Sequence, residues 1–143
     1  KAQSAYWNPR KQNVSIGVSV AGAKVDLVPG KVQEGYKNYH SLYKSKSGSW
    51  TQTNIKTHID AVQNSGRVQE IRLAKLWRQR NSLDFPSFYL ELAVIQALSG
   101  KRQGDLANNF WHVLEYFANN LIAARFIDPA NTNNVISEDI GIA

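Results

Sequence analysis

The stretch Val25-Asp26-Leu27-Val28-Pro29 decides the fold of the first part of this chain. Before it, apolar residues alternate with small ones from Val14 to Val20, which is the pattern of a half-buried strand. A short turn at 21–23 follows, so the two segments predict a β hairpin. In the second strand of that hairpin, Asp26 faces the side opposite to its two apolar neighbours.

Asp26 is thus an acidic residue at a position where the pattern predicts burial. A carboxylate is costly to bury unless a positive group binds it, and a metal ion is the usual partner. The alternative is an aspartate near the end of a strand that simply faces solvent. Asp26 is therefore a candidate metal ligand.

The composition limits the classes of protein to which the chain can belong. Its 143 residues include no cysteine, which excludes disulfides and thiolate metal sites. No apolar run is long enough to span a membrane and no segment resembles a signal peptide, so we expect a cytoplasmic protein. The chain begins at Lys1 and contains no methionine, which predicts that it is part of a longer product.

The chain is basic, with seventeen Lys and Arg residues against eleven acidic ones and a net charge of +6. This balance suits partners that carry phosphate, either nucleotides or nucleic acid. It does not choose between them, and many basic proteins bind no anion specifically.

The sequence changes character after residue 53. Residues 1–53 contain the hairpin and then a polar stretch from Gly30 to Gly48, in which aromatic residues are interleaved with lysines. Two interpretations are open: the aromatic rings stack on bases while the lysines meet phosphates, or the rings pack this segment against helices. The side chains concerned are Tyr36, Tyr39, His40, Tyr43 and Trp50.

Residues 54–143 predict a domain with four main helices. Asn54 is placed to cap the first helix, which runs to about Gln63 and is ended by residues 64–66, and the second spans roughly residues 67–80. The third begins at Pro86 and ends near Gly100. Asp105 is placed to cap a fourth helix that reaches residue 126 or 127, where an Asp-Pro pair stops it. Residues 131–143 are predicted to be an Asn-rich loop with one short apolar patch.

The second predicted helix is apolar almost all round, which is typical of a central, buried helix. Arg72, Lys75 and Gln79 nevertheless share a strip about 60° wide. Such a strip must face a cleft or a charged partner, because an unpaired buried ammonium is costly. Ser87 lies in the first turn of the third helix, beside unpaired backbone N–H groups. There it either binds a phosphate or serves only to cap the helix.

Four segments resemble, in order and spacing, motifs of the polymerase-β-like nucleotidyltransferases. Within that group the similarity is to the cGAS/DncV-like (SMODS-type) bacterial enzymes, which are related to the oligoadenylate synthetases. The segments are Val25-Asp26-Leu27-Val28-Pro29, residues 50–54 with His58-Ile59, residues 71–77 with 87–91, and residues 128–135. The resemblance implies an α+β fold, with a β-hairpin remnant of the catalytic sheet in residues 1–53 and a mainly helical substrate-binding domain in residues 54–143.

The resemblance also implies an activity and a site. The enzyme would make a cyclic di- or oligonucleotide second messenger from nucleoside triphosphates such as ATP, in antiviral defence. Asp26 would be the third catalytic, metal-binding carboxylate, while Lys75 and Ser87, with Arg72 beside them, would contact the triphosphate. Two Mg²⁺ (or Mn²⁺) ions would act at the α-phosphate.

The chain departs from the family pattern before the hairpin. It has no phosphate-gripping Gly-Ser pair there, and no Asp or Glu precedes Asp26. Because hard cations need several oxygen ligands, we expect the C-terminal part of such an enzyme, inactive alone and requiring the N-terminal half as its partner.

Three further expectations concern partners and function. The open edges of the hairpin favour pairing with another chain, and hence an oligomer. A non-catalytic helical module that binds a nucleotide or nucleic acid is the first alternative function. An RNA-tailing nucleotidyltransferase is the second.

Overall fold

The fold is given by a computed structural model that describes residues 9–139. The chain divides into two compact units, Lys1–Ile55 and Lys56–Ala143. The described part of the first unit is built of β strands, and that of the second contains four helices and a small hairpin. The predicted α+β class is therefore confirmed, with small antiparallel sheets and four helices. The functions expected of residues 1–53 and 54–143 stay predictions.

The first sheet of the β unit has the strand order β1 (Arg10–Lys11), β2 (Ile16–Val20) and β3 (Ala23–Leu27). Strands β2 and β3 form the predicted hairpin, with Val20 opposite Ala23. The two residues between them, Ala21 and Gly22, both have positive φ angles, of 50° and 81°. Two-residue hairpin turns of this kind match the right-handed twist of the strands, which explains why the short turn closes the hairpin.

The predicted burial of Asp26 is wrong. All five residues of β3 are exposed, Asp26 among them. Within the described residues, β3 pairs with β2 alone and has an open outer edge. Alternation of apolar residues predicts that one face of a strand is buried by a neighbouring layer. Among the described residues, no such layer buries either face of β3. Asp26 therefore faces solvent, while its role as a metal ligand stays a prediction.

A second three-stranded sheet follows the first. The sequence analysis interpreted the aromatic and lysine residues of this segment but did not predict its strands. Its strands are β4 (Gly30–Val32), β5 (His40–Lys44) and β6 (Ser49–Thr53), all antiparallel. The β5–β6 turn contains Gly48, whose φ angle of 64° favours glycine. Ser45 and Lys46 in this turn are held by hydrogen bonds to Asn13, which precedes β2.

The helical unit contains helices α1 (Ile55–Gln63), α2 (Val68–Arg80), α3 (Ser87–Ala97) and α4 (Leu106–Asn120). The number of helices and their starts agree with the prediction. At the start of α4, the side chain of Asp105 accepts a hydrogen bond of 3.1 Å from the backbone N–H of Asn108, as a capping residue does.

The fourth helix is shorter than the sequence predicts. It ends at Asn120, and the chain then forms a hairpin of β7 (Ile127–Asp128) and β8 (Asn131–Val135), followed by a 3₁₀ helix at Ile136–Asp139. The predicted loop after residue 131 is therefore wrong as far as residue 139, and residues 140–143 lie outside the described part. The Asp-Pro pair forms the tip of a hairpin rather than the end of a helix, because the Asp128 side chain bonds to both sides of that tip.

The core of the helical unit is centred on α3 rather than on α2. Helix α3 buries four residues completely or nearly so, whereas α2 buries Ile71 and Ala74 and leaves Leu76 exposed. The expectation of an all-round buried α2 is wrong, because one side of this helix faces solvent with its charged residues. The residues of α3 concerned are Tyr89, Leu90, Ala93 and Val94. Within residues 9–139, no helix is both long enough and apolar enough to cross a membrane.

Candidate nucleotide-binding site

The exposed side of α2 forms one wall of an open cleft in the helical unit. Its volume is about 690 Å³. Arg72, Lys75 and Gln79, the predicted polar strip, all line it. The remaining lining comes from α2 and from the chain between α2 and α3, namely Leu76, Arg78, Ser82, Leu83, Asp84 and Phe85. We call this the cationic cleft, because three of its side chains are cations and one is an acid.

Lys75 is a cation of the cleft that also contacts a neighbouring helix. Its ammonium forms an ion pair with Glu91 of α3, whose side chain is 15% exposed. An ammonium has three N–H donors, so this contact leaves donor capacity directed at the cleft. The sequence predicted that this strip faces a cleft or a charged partner, and Lys75 has both, although Glu91 was not predicted to be that partner.

Arg78 joins the cleft to the start of α3. Its Nη1 donates to the backbone carbonyl of Phe85 and lies 3.3 Å from Oγ of Ser87. Ser87 is the first residue of α3, and Pro86 before it provides no side-chain cap. Ser87 is thus brought to the cleft through a single arginine, and Arg78 is a site residue that the sequence analysis missed. On the helical wheel it lies about 60° beyond Lys75, so a slightly wider strip would have included it.

Asp26 lies in the β unit and has its own local partners. Nε2 of Gln12 donates a hydrogen bond of 3.0 Å to its Oδ1. Its cross-strand neighbour is Gly17, where a Cβ atom would come within 3.0 Å of Asp26 Oδ1 and 3.1 Å of Arg10 Nη2. Glycine at this position therefore leaves room for a polar group made of Asp26, Gln12 and Arg10.

A second polar group lies in the helical unit around Asp128, which is 4% exposed. Its carboxylate shares a hydrogen bond of 2.7 Å with Nε2 of His58 in α1. It also accepts bonds of 2.8 Å from the backbone N–H of Ala130 and 3.1 Å from Nδ2 of Asn134. The His58 ring packs on Phe88 of α3, with 4.4 Å between ring centres. This Asp128 cluster ties the β7–β8 hairpin to α1 and α3.

The hydrogen bonds of the Asp128 cluster set its ionisation. Burial alone opposes a charged carboxylate, but the bonds from His58, Ala130 and Asn134 outweigh it and hold the pKa of Asp128 below its usual value. The carboxylate is therefore charged at neutral pH, where it can accept all three bonds.

Acid is expected to release this cluster. Because the folded pKa is lower than the unfolded one, the ionised carboxylate stabilises the fold above about pH 4, and this contribution is lost as the pH falls through the folded pKa. Asp128→Asn should lower the free energy of unfolding at pH 7 by about 1–3 kcal/mol. It should also flatten the loss of stability below about pH 4. Urea unfolding at pH 7 and at a pH below about 4 measures the free energy of unfolding of each variant. Glu138→Gln, at an exposed carboxyl, is the control, and equal pH profiles for the two variants would contradict the expectation.

No protein-family model matches the chain. The curated cyclic AMP-AMP-AMP synthase of Escherichia coli (strain MS 115-1) is 27% identical to it over 127 residues, which cover 80% of this chain and 38% of that protein. The chain is homologous to this synthase, which is itself a cGAS/DncV-like nucleotidyltransferase. The resemblance predicted from the four sequence segments is thereby confirmed.

A solved structure supports the relationship at the level of the fold. The E. coli MS115-1 CdnC:HORMA-deltaN complex contains a chain that superimposes with a TM-score of 0.63 and 23% identity. The match covers 90% of the present chain and 50% of that chain. The chain thus spans half or less of the length of the cGAS/DncV-like proteins that it matches.

A metal site is not complete in the part of the chain that the structure describes. Between residues 9 and 139, no group of three or more His, Asp or Glu side chains is arranged to hold a metal ion. The neighbours of Asp26 are an amide and a guanidinium rather than further carboxylates. Since Mg²⁺ and Mn²⁺ require several oxygen ligands, these residues alone do not fit such an ion.

Proposed function

We propose that this chain provides the triphosphate-binding helices of a nucleotidyltransferase that makes a cyclic di- or oligonucleotide second messenger from nucleoside triphosphates. The observation that carries the proposal is the cationic cleft, with Arg72, Lys75 and Arg78 on one helix and Ser87 at the start of the next. Its support from homology is the relationship to a cyclic AMP-AMP-AMP synthase. ATP is accordingly the first nucleotide to test.

The chemistry of the cleft suits a triphosphate. The two guanidinium groups present N–H donors in a planar fork that matches phosphate oxygens, while the ammonium of Lys75 acts as a compact charge. Ser87 adds a hydroxyl beside the unpaired backbone N–H groups of the first turn of α3. In this proposal the chain's own residues bind and neutralise the triphosphate and hold it in one orientation.

Asp26 enters the proposal as one ligand of a Mg²⁺ or Mn²⁺ ion. A polymerase-β-like sheet, to which the β2–β3 hairpin would belong, is part of the same proposal. The described residues lack the other ligands, so we assign no step of the reaction to the metal. When bound, such an ion would stabilise the charge that develops on the transferred phosphate.

Product formation tests the proposal in the longest polypeptide that contains this chain. With nucleoside triphosphates and Mg²⁺, we expect a product that resists phosphatase because it has no free ends. Asp26→Ala should reduce product to background while ATP binding persists. Glu34→Ala, at an exposed acid of the same unit, should leave product formation unchanged. Products sensitive to phosphatase would favour RNA tailing. ATP binding without any product would favour a non-catalytic binding module.

Partner proteins belong to the same proposal. The similar solved structure is a CdnC:HORMA-deltaN complex. We propose that a HORMA protein also binds the polypeptide that contains the present chain. The open edge of β3 supports a second contact, either with the N-terminal half of the catalytic domain or with another copy of the chain.

A further inference from the structure

The net positive charge of this chain comes from its β unit. Residues 1–55 hold eight of the seventeen Lys and Arg residues but only two of the eleven acids, and so carry the whole net charge of +6. Residues 56–143 hold nine basic and nine acidic residues and are neutral overall. A general affinity for polyanions is therefore expected from the β unit, whereas the cationic cleft is a local feature of a neutral unit.

One face of the second sheet presents exposed aromatic rings within this positive unit. Tyr43 of β5 and Trp50 of β6 are cross-strand neighbours, with ring centres 5.3 Å apart in an edge-to-face arrangement. They are 45% and 62% exposed. Burial of large aromatic surface is strongly favourable, so an exposed pair on a sheet is a candidate binding surface.

Strand register places polar and cationic residues beside the pair. Successive residues alternate between faces, so Ser41 and Gln52 share the face of Tyr43 and Trp50, and Lys31 joins them opposite Ser41. We call these five residues the stacking face. Lys46 lies in the β5–β6 turn, three residues from Tyr43, and the bonds of that turn to Gln12 and Asn13 fix its position. Lys44, next to Tyr43 in β5, lies on the opposite face.

We propose that the stacking face binds a single-stranded polynucleotide. Bases would stack on Trp50 and Tyr43, while Lys31 and Lys46 meet the phosphates. Every base has a π face, so such a surface binds single strands with little sequence preference. A duplex keeps its bases stacked inside and offers the rings no equivalent contact. This activity is separate from the proposed nucleotidyl transfer and does not depend on it.

The experiment measures binding of the full chain to a fluorescein-labelled oligothymidylate of about 15 nucleotides by fluorescence anisotropy, without nucleoside triphosphates. Trp50→Ala should weaken binding roughly 5- to 100-fold, and Trp50→Phe should recover most of the loss. The matched control is Trp111→Ala on α4, because Trp111 is 61% exposed but belongs to the neutral helical unit. This control should bind as the original chain does.

The salt dependence separates stacking from simple charge attraction. With two lysines at phosphates, the slope of log K against log salt should be about −1.4, and Lys46→Ala should reduce its magnitude to about 0.7. Equal binding by the Trp50→Ala and Trp111→Ala variants would overturn the proposal. So would tighter binding of a duplex of the same length than of the single strand.

Discussion

Replacing both Lys75 and Arg78 with alanine is expected to weaken ATP binding by at least about 100-fold. A hydrogen bond to a charged group contributes about 1.5–3 kcal/mol, and the double variant removes at least two of them. Loss of Lys75 also leaves Glu91 without its partner, which adds a negative charge beside the phosphates. Isothermal titration calorimetry with the full chain measures the change.

Three single variants sharpen this prediction. Ser87→Ala should cost about tenfold in affinity, because it removes one hydroxyl contact. Glu91→Gln should leave ATP binding unchanged or strengthen it, since it frees the ammonium of Lys75. Arg80→Ala is the control, because Arg80 is an exposed arginine of the same helix that does not line the cationic cleft. If Lys75→Ala/Arg78→Ala binds ATP as Arg80→Ala does, the cleft is not the triphosphate site.

Arg67→Ala is expected to have the largest effect on stability. Arg67 and Glu70 are buried, 5% and 4% exposed, and form an ion pair of 3.4 Å. The guanidinium also donates to the backbone carbonyls of Leu98, Lys101 and Arg102, which end α3 and lead towards α4. Removal of one partner of such a pair leaves a buried charge and typically costs about 3–5 kcal/mol.

Thermal unfolding followed by circular dichroism tests this expectation, with a fall in Tm of roughly 10 °C or more. Adding Glu70→Gln to the variant should restore part of the loss, because the unpaired charge is then removed while Asn109 can still bond to the side chain. Arg102→Ala is the matched control: its side chain is exposed and its backbone carbonyl stays in place. A Tm loss for Arg67→Ala no larger than for Arg102→Ala would show that the buried pair adds nothing to stability.

The helices were predictable because their signals are local. Asp105 caps α4 through a bond to a residue only three positions away, and Pro86 marks the start of α3 within the chain itself. The β2–β3 hairpin is local in the same sense, since two turn residues with positive φ join strands that are adjacent in sequence. Such features depend on propensities and short-range bonds, which a sequence displays directly.

The missed features depend on contacts between distant residues. The β7–β8 hairpin is fixed by a bond between Asp128 and His58, seventy residues apart, and Asp-Pro by itself is equally typical of a helix end. The second sheet escaped prediction because its strands carry polar residues on both faces and therefore lack a clear apolar period.

The candidate site was predicted in part for the same reason. Helical spacing alone assigned Arg72 and Lys75 to one strip, and they line one cleft. Arg78 was missed because its role depends on the backbone carbonyl of Phe85 and on Ser87, which lie in the following turn and helix. The metal role predicted for Asp26 stays a prediction. Asp26 is exposed on an outer strand of the described residues, and no further acidic ligands lie beside it there.

The bonds of Arg67 also bear on how the proposed nucleotide site would distinguish its ligands. They join the start of α2 to the end of α3, so the connection between these helices is ordered by the protein's own carbonyls before any ligand arrives. The entropic cost of ordering this part of the helical unit is therefore part of the free energy of folding and not of the free energy of ligand binding. Under the proposed function, this order would make differences in affinity between nucleotides depend on the atoms each one touches more than on how far each one orders these helix ends.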